Sequence, residues 1–420
     1  MAGSRRAVFV CCDGLGRDWI SPETAPVLHE LRNKSLWCEE HKAVFPSVTR
    51  ASAASITTGC HPARHGLHGN RMGLFEGGRI VVRDVGAPDF RGHLRRATGR
   101  TLLAPALSER VARDGGFVAF SNVSPGAAFF LDPDHFGFVY HRTGSFGPGG
   151  EALEALQATH DAAGDRAMTA RFCAEVLEER RPAVAAIWLC DPDHTLHGVP
   201  LGSPAHDAAL AGAERCVLEV FRTVERLRRE GDEVLLLIGS DHGQETIGAS
   251  VSLEDWLSAR GLESMLANGD IAVAGQGTAA LLYATDRGRA ALLDVLDEMR
   301  REPWAEGVVV GNALHERGFA AHGGVVAAVN MAREPDANPH GVAGRRWVVA
   351  EPGKPVPVGS GQHGGWGPDE TRPFLMLNGA GHRADTRQAP SSLVDIAPTI
   401  ASFLGLSMDG FDGVPLSTTS

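Results

Sequence analysis

Apolar residues along this chain gather into short unbroken runs separated by longer mixed stretches. The runs are AVFVCC (7–12), GFVAFS (116–121), VAAIWLC (184–190), EVLLLIGS (233–240) and PFLMLN (373–378). Unbroken rather than alternating runs are the signature of strands covered on both faces. Between them lie helix-like stretches at 104–115, 165–181 and 208–230, the second placing Ala170, Phe172, Val176 and Leu177 on one face. This alternation predicts an α/β fold, a doubly wound and mostly parallel sheet with helices on both faces. Between about Ile247 and Pro357 the rhythm changes to apolar runs at 271–285, 307–312, 323–331 and 345–351 with a helical stretch at 289–303. We expect an inserted smaller α+β subdomain at 247–357, with 1–246 and 358–420 forming the core. NPHGVAGRR (338–346) reads as a loop.

Composition narrows the partners. The 420 residues, 43% hydrophobic, are ample for a large core. A formal charge of -11 argues against a nucleic-acid polymer, whose phosphates are held by clustered Lys and Arg. No apolar segment approaches the length of about 18 residues that spans a membrane. The run after Arg5 and Arg6 is stopped by Asp13, too soon for a secretory signal. Seven cysteines, an odd number without a C-x-x-C pair, suit reduced thiols rather than a disulfide framework. The expectation is a cytoplasmic protein acting on a small molecule, with a homodimer compatible.

In an open parallel sheet, ligand groups gather where strands end. Asp13 follows the first run, and DPDHTLHG, with Asp191, Asp193, His194 and His197, follows the third. Asp241 and His242 follow the fourth, and His363 sits among glycines in GSGQHGGWG shortly before the fifth. Any one of these is an ordinary turn or cap residue. Together they put carboxylates and imidazoles on one rim, a donor set suited to Zn²⁺ and similar divalent ions.

The segments VFVCCDGL, FPSVTRASAASITTGCHPARHG, DPDHTLH, SDHG, GQHGGWG and LVDIAPTIASFLGL resemble the alkaline phosphatase superfamily, in particular its type I phosphodiesterase/nucleotide pyrophosphatase branch. The resemblance runs from residue 7 to about 406 and leaves 247–357 unmatched. It implies an alkaline-phosphatase-like sandwich and a site with two divalent ions, most simply zinc. Carried over, Asp193, His197 and His363 hold one ion; Asp13, Asp241 and His242 hold the other, with Thr49 bridging towards it. The D-x-x-x-H phase makes Asp193 and His197 the ligands rather than Asp191 and His194. The implied activity is hydrolysis of a phosphodiester or nucleotide pyrophosphate through a covalent phospho-threonine. Asn70 matches the family residue that hydrogen-bonds a phosphoryl oxygen.

CHPAR (60–64) also fits the C-x-P-x-R pattern that resembles a sulfatase signature. The superfamily nucleophile, however, lies nine residues before the Thr of a TG-x-x-P-x-x-HG turn, here Thr58 to Gly66, and counting back reaches Thr49. Cys60 comes too late, and His61, His65 and His68 read as structural. Thr49 also opens a helix-compatible stretch, where unpaired N–H groups and the dipole favour a phosphate. Nucleotide-cleaving members commonly carry an aromatic residue after the nucleophile; here it is Arg50, which favours extra negative charge on the substrate. The alternative is therefore a phosphomonoester or phosphonate hydrolase resembling the phosphonoacetate hydrolases, although SNVSPGAAFF after the second run lacks their lysines. A non-catalytic binding protein with the same fold is the remote alternative.

Overall fold

The computed structural model describes residues 5–319, 323–351, 353 and 355–417. A ten-stranded sheet crosses the molecule. Its middle is parallel, in the order Glu233–Gly239, Arg5–Cys12, Val184–Leu189, Phe117–Ser121 and Phe138–His141. Side chains of the apolar runs alternate between two covered faces, which is why the runs are unbroken. Phe9, Trp188 and Leu237 face the helix Ile396–Leu404, and Val10, Ile187 and Leu236 face Val217, Val220 and Val224. The latter three lie on the helix Pro204–Arg229, whose Ser203 side chain accepts the His206 N–H and caps its start.

Register positions the site. Cys11 lies opposite both Trp188 and Gly239, so three parallel strands end level and release Asp13, the 191–197 segment and Asp241 at one edge.

Four details differ from expectation. Leu375–Asn378 pairs antiparallel with Glu233–Gly239. Within 104–115 only Leu107–Arg110 is helical, because the Val111 carbonyl accepts the N–H groups of Asp114 and Gly116 instead of continuing the ladder. The helix Ala162–Arg171 widens to a π-helix over Phe172–Arg180, and Ala170 is exposed, across the helix from Phe172. The stretch 338–346 is only partly a loop, since Ala343–Val349 is a strand.

Residues after the strand Glu233–Gly239 build two further sheets. One has the order Ile271–Gly275, Ala279–Ala284, Val325–Met331, Ala305–Val310, and is antiparallel and covered by the helix Asp286–Met299. The other has the order Arg333–Ala337, Ala343–Val349, Glu245–Val251, Gly361–Gln362. We propose 247–357 as an inserted subdomain, with Glu245–Val251 spanning its first boundary; the outer bounds at 1 and 420 lie outside the described residues. Among the described residues no helix is long and apolar enough to cross a membrane. All seven cysteines are free and buried.

Candidate functional site

The three level strand ends are tied to one another through their acids. Trp188 Nε1 donates to Asp13 Oδ2 at 3.1 Å, Gly14 N donates to Asp241 Oδ1 at 3.1 Å, and Asp193 N donates to the Asp13 carbonyl at 3.1 Å. Gly14 has φ +68°, and a Cβ there would stand 2.8 Å from the Asp193 Cβ, so the approach requires glycine. Asp191 is spent on its own turn, accepting from Thr195 N and Oγ1 at 3.1 and 2.8 Å.

Each central histidine is oriented by a carbonyl. His242 Nδ1 donates to the Gly243 carbonyl at 2.9 Å, turning Nε2 towards Asp241 Oδ2 (3.2 Å), Thr49 Oγ1 (3.3 Å) and Asp13 Oδ1 (3.4 Å). His363 Nδ1 donates to the Ser47 carbonyl at 2.7 Å, turning Nε2 towards Asp193 Oδ1 at 3.4 Å. A carbonyl can only accept, so the tautomers follow, and such orientation is typical of metal-ligating histidines. The two rings stack with centroids 3.6 Å apart. His363 directly follows the two-residue strand Gly361–Gln362, which belongs to a separate sheet rather than to the central one.

Potential ligands converge in two groups, Asp13, Asp241 and His242, and Asp193, His242 and His363, with donor atoms within 4.8 Å of one another in each. His197 belongs to neither group, although its Nε2 lies 3.3 Å from Asp193 Oδ2. Asp13 Oδ1 and Asp241 Oδ2 are buried, and the His242 Nε2 that faces both is the partner they share. Burial, and then the neighbouring carboxylates, push Asp13 well above the usual carboxylate range; Asp241 is also raised by burial. Burial opposes charge on His242, but Asp241, Asp13 and Asp193 overcome it and push the imidazole up to about 10. Burial holds His363 well below its ordinary value, with the charge of His242 adding to the effect. The cluster has more buried negative charge than its imidazoles balance, with two carboxylate oxygens left to one shared imidazole nitrogen. That donor set fits divalent cations.

Thr49 is the first residue of the helix Thr49–Thr58, and Val48, extended at φ −126°, occupies the capping position. The Thr49 hydroxyl does not cap its own helix and faces the ligand cluster. The backbone N–H of Arg50 is instead satisfied by Asn70 Oδ1 at 3.3 Å, which fixes the amide and leaves Nδ2 as a donor. Arg50 Nη1 donates to the Asn70 carbonyl at 2.8 Å and to Asp84. Arg50, Asn70, His197 and His363 line a cleft of about 520 Å³, together with Val348, Val349 and Val356.

The decoys lie elsewhere. Cys60 is buried past the C-terminal end of the helix Thr49–Thr58, its thiol raised by burial and directed at the Gly410 carbonyl, 3.3 Å away. His65 Nε2 meets Ser55 Oγ at 2.9 Å and His68 Nδ1 meets Tyr283 Oη at 2.9 Å. His61 lines a separate cavity with Trp366 and Asp395.

Sequence reasoning missed the supporting polar groups. Gln244 Nε2 donates to Asp193 Oδ1 at 2.5 Å, and Trp188 holds Asp13. Gln276 Oε1 accepts Asn70 N at 2.8 Å while its Nε2 donates to the Arg71 carbonyl at 2.7 Å, fixing the Asn70 segment. The available signals were a polar-capable Trp in an apolar run and a Gln set between Gly275 and Gly277.

The chain matches the family of type I phosphodiesterase / nucleotide pyrophosphatase over residues 7–365. No curated protein matches it by sequence. Among solved structures, murine ectonucleotide pyrophosphatase / phosphodiesterase 5, as an inactive variant in complex with AMP, superposes with TM-score 0.69 at 15% identity, covering 98% of this chain and 97% of that one. The human form gives 0.66 at 14% identity, covering 97% of each chain. Phosphonoacetate hydrolase from Sinorhizobium meliloti, in complex with phosphonoformate, gives 0.66 at 15% identity, covering 96% of each. At such identities these structures establish a shared fold.

Proposed function

The chain belongs to the type I phosphodiesterase / nucleotide pyrophosphatase family of metal-dependent phosphoryl hydrolases, and from that premise we propose that Thr49 is its covalent nucleophile. The observation that carries this reading is the Thr49 hydroxyl, free of any capping duty and 3.3 Å from His242 Nε2 at the focus of the acids. We assign one divalent ion to Asp193, His197 and His363 and the other to Asp13, Asp241, His242 and Thr49, and propose zinc, since mixed imidazole and carboxylate ligation suits it. When bound, the ions supply Lewis-acid chemistry, lowering the hydroxyl's pKa and stabilising charge on the phosphoryl and leaving oxygens.

The chain's own residues set the geometry. Thr49 Oγ1 forms a bond to phosphorus while the bond to the leaving oxygen breaks, and that oxygen departs with the electron pair and takes up a proton. Asn70 Nδ2 donates to a non-bridging oxygen, and the positive end of the helix Thr49–Thr58 favours the same charge. Water then cleaves phospho-Thr49, restoring the hydroxyl and releasing the phosphoryl product. We propose a small-molecule phosphodiester or nucleotide pyrophosphate as substrate and the cytoplasm as location. Arg50 at the cleft supports a second reading, a phosphomonoester or phosphonate.

Thr49→Ala and Thr49→Ser, assayed on diester, monoester and phosphonate substrates, test the proposal. Alanine should cost several orders of magnitude in kcat with fold and ion content retained, whereas serine, which keeps the oxygen, should retain measurable turnover. Full activity in Thr49→Ala would eliminate the covalent route.

A further inference from the structure

We infer that Glu370 is a positioning residue for this reaction: it clamps the segment that delivers Thr49 to the loop that delivers His363. The inference rests on the roles proposed for those two residues. Glu370 is fully buried, and both of its oxygens are used on the active-site side. Oε2 accepts from Gly365 N at 2.9 Å, Thr278 Oγ1 at 2.5 Å and Ser47 Oγ at 3.3 Å, and Oε1 accepts from Gly367 N at 2.9 Å. Thr278 Oγ1 also accepts from Gly365 N at 2.7 Å.

Ser47 is the other half of the clamp. Its hydroxyl donates to the Gly365 carbonyl at 2.9 Å and accepts from Gly364 N at 3.1 Å, while its carbonyl accepts the His363 Nδ1 proton at 2.7 Å. Ser47 precedes Thr49 by two residues, so one rigid unit fixes both the nucleophile's backbone and the imidazole's tautomer and aim. A carbonyl cannot be deleted by substitution, so the side chains holding it are the handle. Two glycines of GQHGGWG suit this joint: a Cβ at 365 would stand 2.9 Å from Glu370 Oε1, and one at 367 would stand 2.7 Å from the same oxygen. Arg346, buried nearby, pairs more closely with Glu245: its Nε is 2.5 Å from Glu245 Oε2 and 3.8 Å from Glu370 Oε1, so a longer ion pair adds to the N–H groups and hydroxyls that hold Glu370.

The test uses full-length Glu370→Gln, Thr278→Val and Thr278→Ser. For each, kcat and KM are measured separately, and the affinity of the apo protein for Zn²⁺ is measured by competition with a chelator. An amide cannot accept at both ends, so Glu370→Gln should lower kcat about 10- to 100-fold with KM little changed, and should weaken one of two bound ions selectively. Thr278→Val should show the same split at smaller size, and Thr278→Ser, which keeps the hydroxyl, should restore it. If Glu370→Gln does not fold, the Thr278 pair decides alone. Equal kcat and Zn²⁺ affinity in Thr278→Val and Thr278→Ser, or a folded Glu370→Gln with wild-type values of both, would overturn the positioning role. Full activity in Thr49→Ala removes the underlying mechanism whatever the Thr278 pair does. An inactive Thr49→Ala alongside indistinguishable Thr278 variants removes only the clamp.

Discussion

Arg50 shows how a single charge is set by its neighbours. Its side chain is 15% exposed, against 60% for Asp84, which pairs with it. Nε donates to Ser124 Oγ at 3.3 Å. Burial pulls the guanidinium pKa down and Asp84 resists, so most of its charge is already answered within the protein. Releasing that partner should therefore sharpen discrimination: Asp84→Asn should raise kcat/KM for monoesters and carboxylated phosphonates relative to neutral-tailed diesters. Arg50→Ala should shift the ratio the other way, by on the order of 1.5–3 kcal/mol for a charge-assisted hydrogen bond. Equal changes on every substrate, read from kcat/KM across the three classes, would reduce Arg50 to a brace for Asn70. At this scale the sequence made Asp13, Asp193, Asp241, His242 and His363 legible because they sit directly after apolar runs or between glycines. Trp188, Gln244, Gln276 and Ser47 were not legible, since their partners are brought close only by the finished fold.

Strand ends also need holding, and Asp165 does this for the strand Val184–Leu189. The carboxylate, buried on the helix Ala162–Arg171, accepts from Cys190 N at 3.0 Å, Asp191 N at 3.1 Å and Asn122 Nδ2 at 2.9 Å, just ahead of Asp193. Burial outweighs these donors and raises its pKa to about 6. A folded pKa above the unfolded one means that the folded state binds the proton more tightly. The associated stability is complete below about pH 4 and is lost as pH rises through about 6, with a size of order 3 kcal/mol. In unfolding titrations, the stability gap between wild type and Asp165→Asn should therefore shrink from pH 4 to pH 7, and a widening gap would contradict the assignment. The parallel strands were readable because burial on both faces leaves an unbroken apolar run. Only the start of the strand Ala343–Val349 escaped, because the run at 345–351 was readable while Ala343 and Gly344 fell in a stretch read as a loop, and the burial of Arg346 by ion pairs with Glu245 and Glu306 is announced by no local pattern. The direction of Leu375–Asn378 depends on the connection through the inserted residues, which periodicity does not encode.

For the whole molecule, the proposed ions would be part of the fold as well as of the chemistry, because Asp13 and Asp241, which would hold one of them, are buried. Elemental analysis should find about two divalent ions per chain. His363→Ala should empty mainly the site shared with Asp193 and His197, and Asp241→Asn mainly the other. Chelation should abolish turnover and lower Tm, because ions that bind only the folded state stabilise it by mass action; an unchanged Tm with full ion loss would mean that the acids are balanced within the protein. Cys60→Ala should retain turnover apart from packing losses, since the thiol lies beyond the far end of the Thr49 helix. The central claim, that Thr49 carries the phosphoryl group, is tested most directly by rapid acid quench of the turning-over enzyme followed by peptide mass spectrometry. The account predicts a phosphoryl adduct on Thr49 that forms within one turnover, decays when substrate is exhausted and is missing in Thr49→Ala. An unmodified Thr49 peptide throughout steady-state turnover, with an active Thr49→Ala enzyme, would contradict it.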